Sequence, residues 1–209
     1  MTTITRIADS CLVVATDEGS TLIDPGGFAY TWDGIDLGSI GDISRVLVTH
    51  EHGDHVNLDF VQWLVDRGTD VTVHTNESTA AMLARADIEA VTTSATGTSF
   101  EDVTHEMLPT GATLPNRSWT IDGILTHPGD SYEPTETAPV MAVALLAPWG
   151  SMTASVEFAK RLGPRMVVPT HDFYLSKSGR GWVTSLASNV LGAAGIEVVG
   201  LEPGQSFTV

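Results

Sequence analysis

Apolar residues in the first fifty positions come in short runs, at 4–7, 11–15, 21–23 and 46–48, parted by the turn-forming stretches Asp17-Glu18-Gly19 and Asp24-Pro25-Gly26-Gly27. Runs of this length between turn residues predict strands joined as hairpins. The period then changes: Leu58, Val61, Leu64 and Val65 recur at helical spacing. This predicts a helix over 58–67, with Asn57 able to cap its start and Gly68 as a stop. Residues 71–74 read as a further strand, 77–86 as a second helix opened by Asn76 or Ser78, and 88–126 as several strands with Gly, Pro and Asn turns. Helices are predicted over 152–162 and 183–194, strands at 166–169 and 196–199, and 205–209 as a closing sheet edge.

The pattern carries a short internal echo. Residues 45–50 resemble 165–171, and 21–26 resemble 124–130, so each half offers two strands that end in a polar turn of similar type. Two related sheets with helices outside, and a site along their shared edge, would produce such a pattern.

Composition narrows the function classes. The 209 residues suffice for one sizeable domain with a buried core, and a single domain over 1–209 is expected. A formal charge of −16, with only ten Lys and Arg, argues against nucleic-acid and anionic-membrane partners, which are gripped by clustered cations. A small-molecule substrate is the expectation that remains. Cys11 lies in an apolar run with no second cysteine to pair with, so any metal site must use nitrogen and oxygen ligands. The N-terminus shows no basic segment followed by an apolar stretch, and no run approaches membrane-spanning length; a cytoplasmic protein is expected.

The chemistry concentrates in His50-Glu51-His52-Gly53-Asp54-His55, directly behind the apolar 46–48 run; three of the chain's seven histidines stand there. Neutral imidazole and carboxylate suit zinc, manganese or iron. Residues that alternate along an extended loop cannot all reach one ion, so two ions are the economical solution. His50 and His52 would face one, and Asp54 and His55 the other, with Glu51 pointing away. Further ligands must come from elsewhere. His171 follows a strand ending in Pro-Thr, Asp130 sits in a Pro-Gly-Asp-Ser turn where glycine lets backbone approach closely, and His105 follows a strand-like 100–103 region. His74 reads as a strand residue, and Asp24 either fixes its own Asp-Pro-Gly turn or touches the site from behind. Trp149, Phe173, Tyr174 and Trp182 are expected to flank the opening.

The run His50, His52, Asp54, His55 meets in full the H-x-H-x-D-H signature of the metallo-β-lactamase superfamily, which this chain resembles over most of its length. Within it the sequences 127–131 and 167–171 look most like the group of ascorbate phosphate lactonases and N-acyl phosphatidylethanolamine phospholipases. The resemblance implies an α/β fold, a four-layer αββα sandwich of two mixed sheets with helices on the outer faces. It also implies two divalent ions, Zn2+ first and Mn2+ or Fe2+ as alternatives. One ion would take His50, His52 and His105, the other Asp54, His55 and His171, with Asp130 bridging. His127 competes with His105 as third ligand of the first ion; standing three residues from Asp130 in a tight turn, it suits a hydrogen-bonding role behind the ligands better.

The implied activity is hydrolysis of a small-molecule lactone, ester or phosphodiester by a hydroxide shared between ions roughly 3.5–4 Å apart. Asp54 would orient that hydroxide and carry its proton, and His127 would donate to the oxyanion or leaving group. The alternative is a metal-binding or sensor relative without turnover. The chain length leaves no room for the extra domains of the glyoxalase-type thioesterases, the RNA-processing members or the di-iron oxygen reductases.

Overall fold

The structure is a computed structural model that describes residues 1–67 and 70–209; the predicted stop at Gly68 lies outside the described residues. Two compact units divide the chain. The first comprises residues 1–96 and 201–209, the second 97–200.

The first unit opens with three strands, β1 (Thr3–Ala8), β2 (Cys11–Thr16) and β3 (Gly19–Ile23), in an antiparallel meander. A short helix α1 (Gly27–Thr31) follows. Strands β4 (Arg45–Leu47) and β5 (Thr72–His74) then add in parallel, with α2 (Leu58–Arg67) crossing between them. Asn57 starts α2 by accepting the Phe60 N–H on its Oδ1 at 2.9 Å. Helix α3 (Glu77–Ala84) begins the same way, Asn76 accepting from Thr79 N. Phe60, Val61 and Leu64 supply the buried face of α2. Cys11 is buried as expected, and burial pushes its thiol well above the ordinary range, with Asp24 and Asp9 adding to the effect.

The chain's last strand completes this sheet: Ser206–Thr208 pairs antiparallel with β1, Thr3 opposite Thr208. Buried Arg6 locks the closure. Its backbone N–H donates to Gln205 O at 3.0 Å, its Nη1 to Leu201 O at 2.8 Å, and its carbonyl accepts from Gly204 N at 2.7 Å.

The second unit repeats the plan. Strands β6 (Thr98–Thr104), β7 (Pro115–Ile121) and β8 (Leu125–His127) form a meander, and β9 (Val140–Ala144), β10 (Met166–Thr170) and β11 (Glu197–Val198) continue it in parallel. With Ser206–Thr208 as β12, the two six-stranded sheets run β12-β1-β2-β3-β4-β5 and β11-β10-β9-β8-β7-β6. The sequence echo is therefore real for β3 and β8, the third strand of each meander. It is displaced for β4 and β10, because β9, not β10, is the strand that pairs with the meander.

Strand β9 is absent from the pattern-based expectation. All five of its residues are buried, so it shows no alternation for a period to reveal. Helix α4 (Met152–Leu162) matches the prediction. Ser151 caps its start, and Gly163 at φ 65 ends it in the left-handed conformation that glycine adopts without penalty. Helix α5 (Lys177–Gly192) begins six residues before the predicted 183, because Ser176 accepts the Gly179 N–H and opens the helix through a polar, glycine-rich turn. Val183, Ala187 and Leu191 of α5 join Val156, Phe158 and Ala159 of α4 in one apolar cluster with Met141, Val143 and Val167 of the sheet. Burying such aliphatic side chains contributes about 1.5–3 kcal/mol each. Among the described residues no helix is long and apolar enough to cross a membrane.

Candidate metal centre

In the first unit the signature residues stand on the loop that leaves β4. Thr75 Oγ1 donates to Val48 O at 3.0 Å and Asn76 Nδ2 to Thr49 O at 2.9 Å, so the strand exit is held from the side of β5 and α3. The loop then turns on itself, His55 N and Val56 N both donating to His52 O at 2.9 Å. The Asp24-Pro25-Gly26-Gly27 turn interlocks with it: Gly27 N donates to Gly53 O at 2.7 Å and Asn57 N to Pro25 O at 2.8 Å.

Asp24 is the hub of this half. Fully buried at φ 52, its carboxylate accepts Thr49 N–H at 2.8 Å, Thr49 Oγ1–H at 2.9 Å and His55 Nδ1–H at 2.8 Å. An ionised carboxylate only accepts, so the proton of neutral His55 is on Nδ1 and the lone pair on Nε2. Thr49 Oγ1 gives its hydrogen to Asp24 and therefore accepts from His50 Nδ1 at 3.0 Å, which places the His50 lone pair on Nε2. That Nε2 lies 3.0 Å from His52 Nδ1, within hydrogen-bond distance, while His55 Nε2 lies 3.9 Å from Asp54 Oδ2. The His50 ring also packs on His55, with centroids 4.0 Å apart, and on His52 at 4.7 Å.

The second unit contributes a second set. His105 immediately follows β6 and donates from Nδ1 to Glu106 O at 2.5 Å; a carbonyl also only accepts, so its lone pair too is on Nε2. His105 Nε2 lies 3.4 Å from Asp130 Oδ2, and His171 Nε2 lies 3.2 Å from the same oxygen. One carboxylate oxygen therefore stands between two imidazoles. His171 leaves β10 at φ 59, a left-handed conformation uncommon for a residue with a Cβ, and it resembles Asp24 after β3 in this. Such outliers cluster where function requires a side chain to be aimed against backbone preference.

Asp130 is positioned by Asn116 of β7, buried, whose Nδ2 donates to Pro128 O at 2.8 Å and whose Oδ1 accepts Asp130 N–H at 3.2 Å. An Asn116→Ala protein loses both anchors of the turn and is expected to be less stable by about 1–3 kcal/mol, read as a lowered Tm in metal-free buffer. His127 differs in kind from His105. Its Nδ1 accepts Gly129 N–H at 3.2 Å, so the proton of the neutral ring is on Nε2, which makes that nitrogen a donor. Trp149 packs edge-on against both His105 and His171, with ring centroids 5.8 and 5.9 Å away, and Tyr174 lies 6.2 Å from His171. Tyr132 packs on Trp149 at 5.3 Å. Burial pushes its hydroxyl up, the hydrogen bond with Ser155 opposes this, and Glu106 and Asp130 add to the rise.

Each predicted residue can now be placed. The first unit brings together His50, His52, Asp54 and His55, with Asp24 behind them; the second brings together His105, Asp130 and His171, with His127 in the Asp130 turn. Glu51 is exposed, and His74 has both ring nitrogens engaged, by Thr93 O at 2.9 Å and Thr72 Oγ1 at 3.0 Å, as a strand residue. Sequence reasoning missed Thr49 and Asn116. Both are ordinary polar residues in strand context, and only their tertiary partners distinguish them.

Histidine and aspartate side chains of this chain could thus hold a metal. Comparison with known proteins agrees: the metallo-beta-lactamase superfamily model matches residues 4–171, and the chain belongs to that superfamily. Protein Rv0786c of Mycobacterium tuberculosis is 26% identical over 194 residues, covering 85% of this chain and 87% of its own. Among solved structures, a Parabacteroides distasonis protein assigned provisionally to the metal-dependent hydrolases aligns with TM-score 0.74 at 20% identity, over 95% of this chain and 92% of the other. Igni18, a metallo hydrolase of Ignicoccus hospitalis, aligns with TM-score 0.73 at 18% identity, over 100% and 99% of the two chains. A diphosphatase of the PhnP family aligns with TM-score 0.68 at 17% identity, over 100% and 98%. The fold is that of the superfamily, with two mixed sheets and flanking helices.

Proposed function

We propose that the whole chain acts as one hydrolase domain with a dinuclear centre, in which His50, His52 and His105 hold one divalent ion, Asp54, His55 and His171 hold the other, and Asp130 serves both. The observation that carries this reading is the set of contacts that the ring Nδ1 atoms make. His50, His55 and His105 each have Nδ1 committed to an acceptor, which leaves Nε2 as a lone pair suited to a metal. Nitrogen and oxygen donors of this kind suit Zn2+ first, with Mn2+ and Fe2+ as alternatives. Bound there, such ions would supply a water nucleophile ionised near neutral pH and a Lewis acid for the attacked oxygen.

The remaining roles fall to the chain itself. Asp54, paired with His55, is the carboxylate that orients the attacking water and takes its proton. His127, protonated on Nε2, donates to the leaving group; its tautomer suits a donor where that of His105 suits a ligand. The substrate proposed is a small molecule with a lactone, ester or phosphodiester bond, cleaved by a cytoplasmic enzyme. The chain's charge of −16 disfavours polyanions, and a phosphorus–oxygen bond is in keeping with the fold's diphosphatase relative.

The test is a panel of lactones, esters, thioesters and phosphodiesters with protein stripped by chelator and reloaded with Zn2+, Mn2+ or Fe2+. Turnover is expected with at least one class, abolished by the chelator, with two ions per chain by elemental analysis. Activity no greater than that of the His52→Ala/Asp54→Ala double variant on every substrate would overturn the proposal.

A further inference from the structure

Trp149 touches two histidines that the proposed centre assigns to different ions. Its ring meets those of His105 and His171 with centroids 5.8 and 5.9 Å away and the planes 68° and 83° apart. The turn that carries it is fixed on several sides. Pro148 and Trp149 are the middle residues of a tight turn in which Gly150 N donates to Ala147 O at 3.1 Å, and proline presets the backbone at the first of them. Just before the turn, the Tyr174 hydroxyl donates to Leu146 O.

Tyr132 backs the indole at 5.3 Å and is itself held from α4. Ser155 Oγ has carbonyl oxygens at 2.6 Å (Ala144) and 3.1 Å (Ser151) to take its hydrogen, so it accepts from Tyr132 Oη at 2.8 Å. The Phe158 ring packs on Tyr132 at 5.5 Å. Gly150 permits this closeness, since a Cβ there would lie 2.4 Å from Tyr132 Oη. The indole nitrogen is buried without a hydrogen-bond acceptor among the described residues. Trp149 therefore acts on its neighbours through its ring.

We propose that Trp149 is a positioning residue of the centre: one fixed indole sets the imidazoles of both His105 and His171 beside Asp130, so that a ligand of each ion takes its orientation from the same side chain. The inference rests on the reading of both histidines as ligands. Each ring needs such a support. The hydrogen bond from His105 Nδ1 to Glu106 O holds one ring atom and leaves the tilt about it open, and His171 is aimed from a φ of 59 that a residue with a Cβ seldom adopts. Edge-to-face packing prefers particular angles between planes as well as distances, which is the restraint these rings require.

The first test needs no metal. Heteronuclear NMR of the imidazole nitrogens in chelator-treated protein should show His105 and His171 as one sharp set of resonances each in the parent and in Trp149→Phe, which keeps an aromatic ring. In Trp149→Leu, which keeps only apolar volume, both should broaden or split. His74, engaged by Thr93 O and Thr72 Oγ1, is the internal control and should not change. Gly150→Ala, which keeps every ring and drives Tyr132 against Trp149, should broaden the same two histidines and replaces Trp149→Leu if that variant does not fold. In chelator competition Trp149→Leu should bind both ions about 10–100-fold more weakly, as loss of a partner behind a ligand does, with Trp149→Phe close to the parent. Parental His105 and His171 resonances in Trp149→Leu, or in Gly150→Ala where it stands in, broadening that takes in His74 equally, or a Trp149→Phe protein as impaired as Trp149→Leu would each overturn the proposal. A parent that takes up no metal while its two rings respond as expected would refute the dinuclear reading and leave the hold of Trp149 on the rings standing.

Discussion

An Asp24→Asn protein is expected to fold and yet bind its metal about 10–100-fold more weakly than the parent, the range typical of losing a carboxylate behind a metal-ligating histidine. The substitution conserves volume, and asparagine tolerates the φ of 52 at this position as aspartate does. What changes is the count of acceptors. Asp24 Oδ1 accepts Thr49 N–H, while Oδ2 accepts both Thr49 Oγ1–H and His55 Nδ1–H. An amide has one oxygen and one NH2. With the oxygen toward Thr49 N, the NH2 faces His55 Nδ1, and the ring relieves the clash by moving its proton to Nε2, the atom proposed to hold the ion. With the amide reversed, NH2 faces the backbone N–H of Thr49, and a buried donor is left without an acceptor, at about 1–3 kcal/mol. Metal affinity by chelator competition, alongside Tm in metal-free buffer, separates the two orientations. Parental affinity together with parental Tm would show that Asp24 does not organise these rings.

Gly26→Ala is expected to damage the centre more severely, although Gly26 is no ligand and lies outside the histidine run. Its backbone at φ −78 and ψ 166 is ordinary, so the obstacle is space alone. A Cβ there would lie 1.7 Å from the carbonyl oxygen of Asp54, 2.3 Å from its carbon and 3.0 Å from His55 N. These are backbone atoms of the peptide joining two proposed ligands, with no rotamer by which to escape. The peptide must move by more than an ångström, against the bonds from Gly27 N to Gly53 O and from Asn57 N to Pro25 O. Misplacement by about 1 Å can cost on the order of 100-fold in rate, and overpacking of this kind about 1–3 kcal/mol or more in stability. Gly53, inside the signature, is the contrasting control: a Cβ there meets nothing within 4 Å. Gly53→Ala should keep parental Tm and metal content, while Gly26→Ala should lose in both. Equal behaviour of the two variants would refute the packing explanation.

The difference between these glycines also marks what a sequence can disclose. The cluster from His50 to His55, the caps Asn57 and Asn76, and the periods of α2 and α4 are local, and local patterns were legible with boundaries within a residue or two. Strand β9 was hidden because burial on both faces removes the alternation that betrays a strand. The first turns of α5 were hidden because Gly179 and Gly181, each costing a helix about 1 kcal/mol, read as loop. Asp130, His105 and His171 could be nominated from their turns. Their meeting at one carboxylate oxygen depends on β6, β8 and β10 taking their places in a single sheet, which no local pattern encodes. Thr49 was illegible for a similar reason, since its importance lies in a partner 25 residues earlier.

The pairing of β1 with β12 has a consequence for the order in which the molecule can be built. Residues 1–96 leave the ribosome before any of the second unit exists, yet their sheet keeps an open β1 edge, a ready template for a neighbouring nascent chain, until residue 208 has been made. Arg6 waits just as long for the carbonyls of Leu201 and Gln205. The sheet that presents His50 to His55 is therefore completed only by β12, a strand made long after that loop.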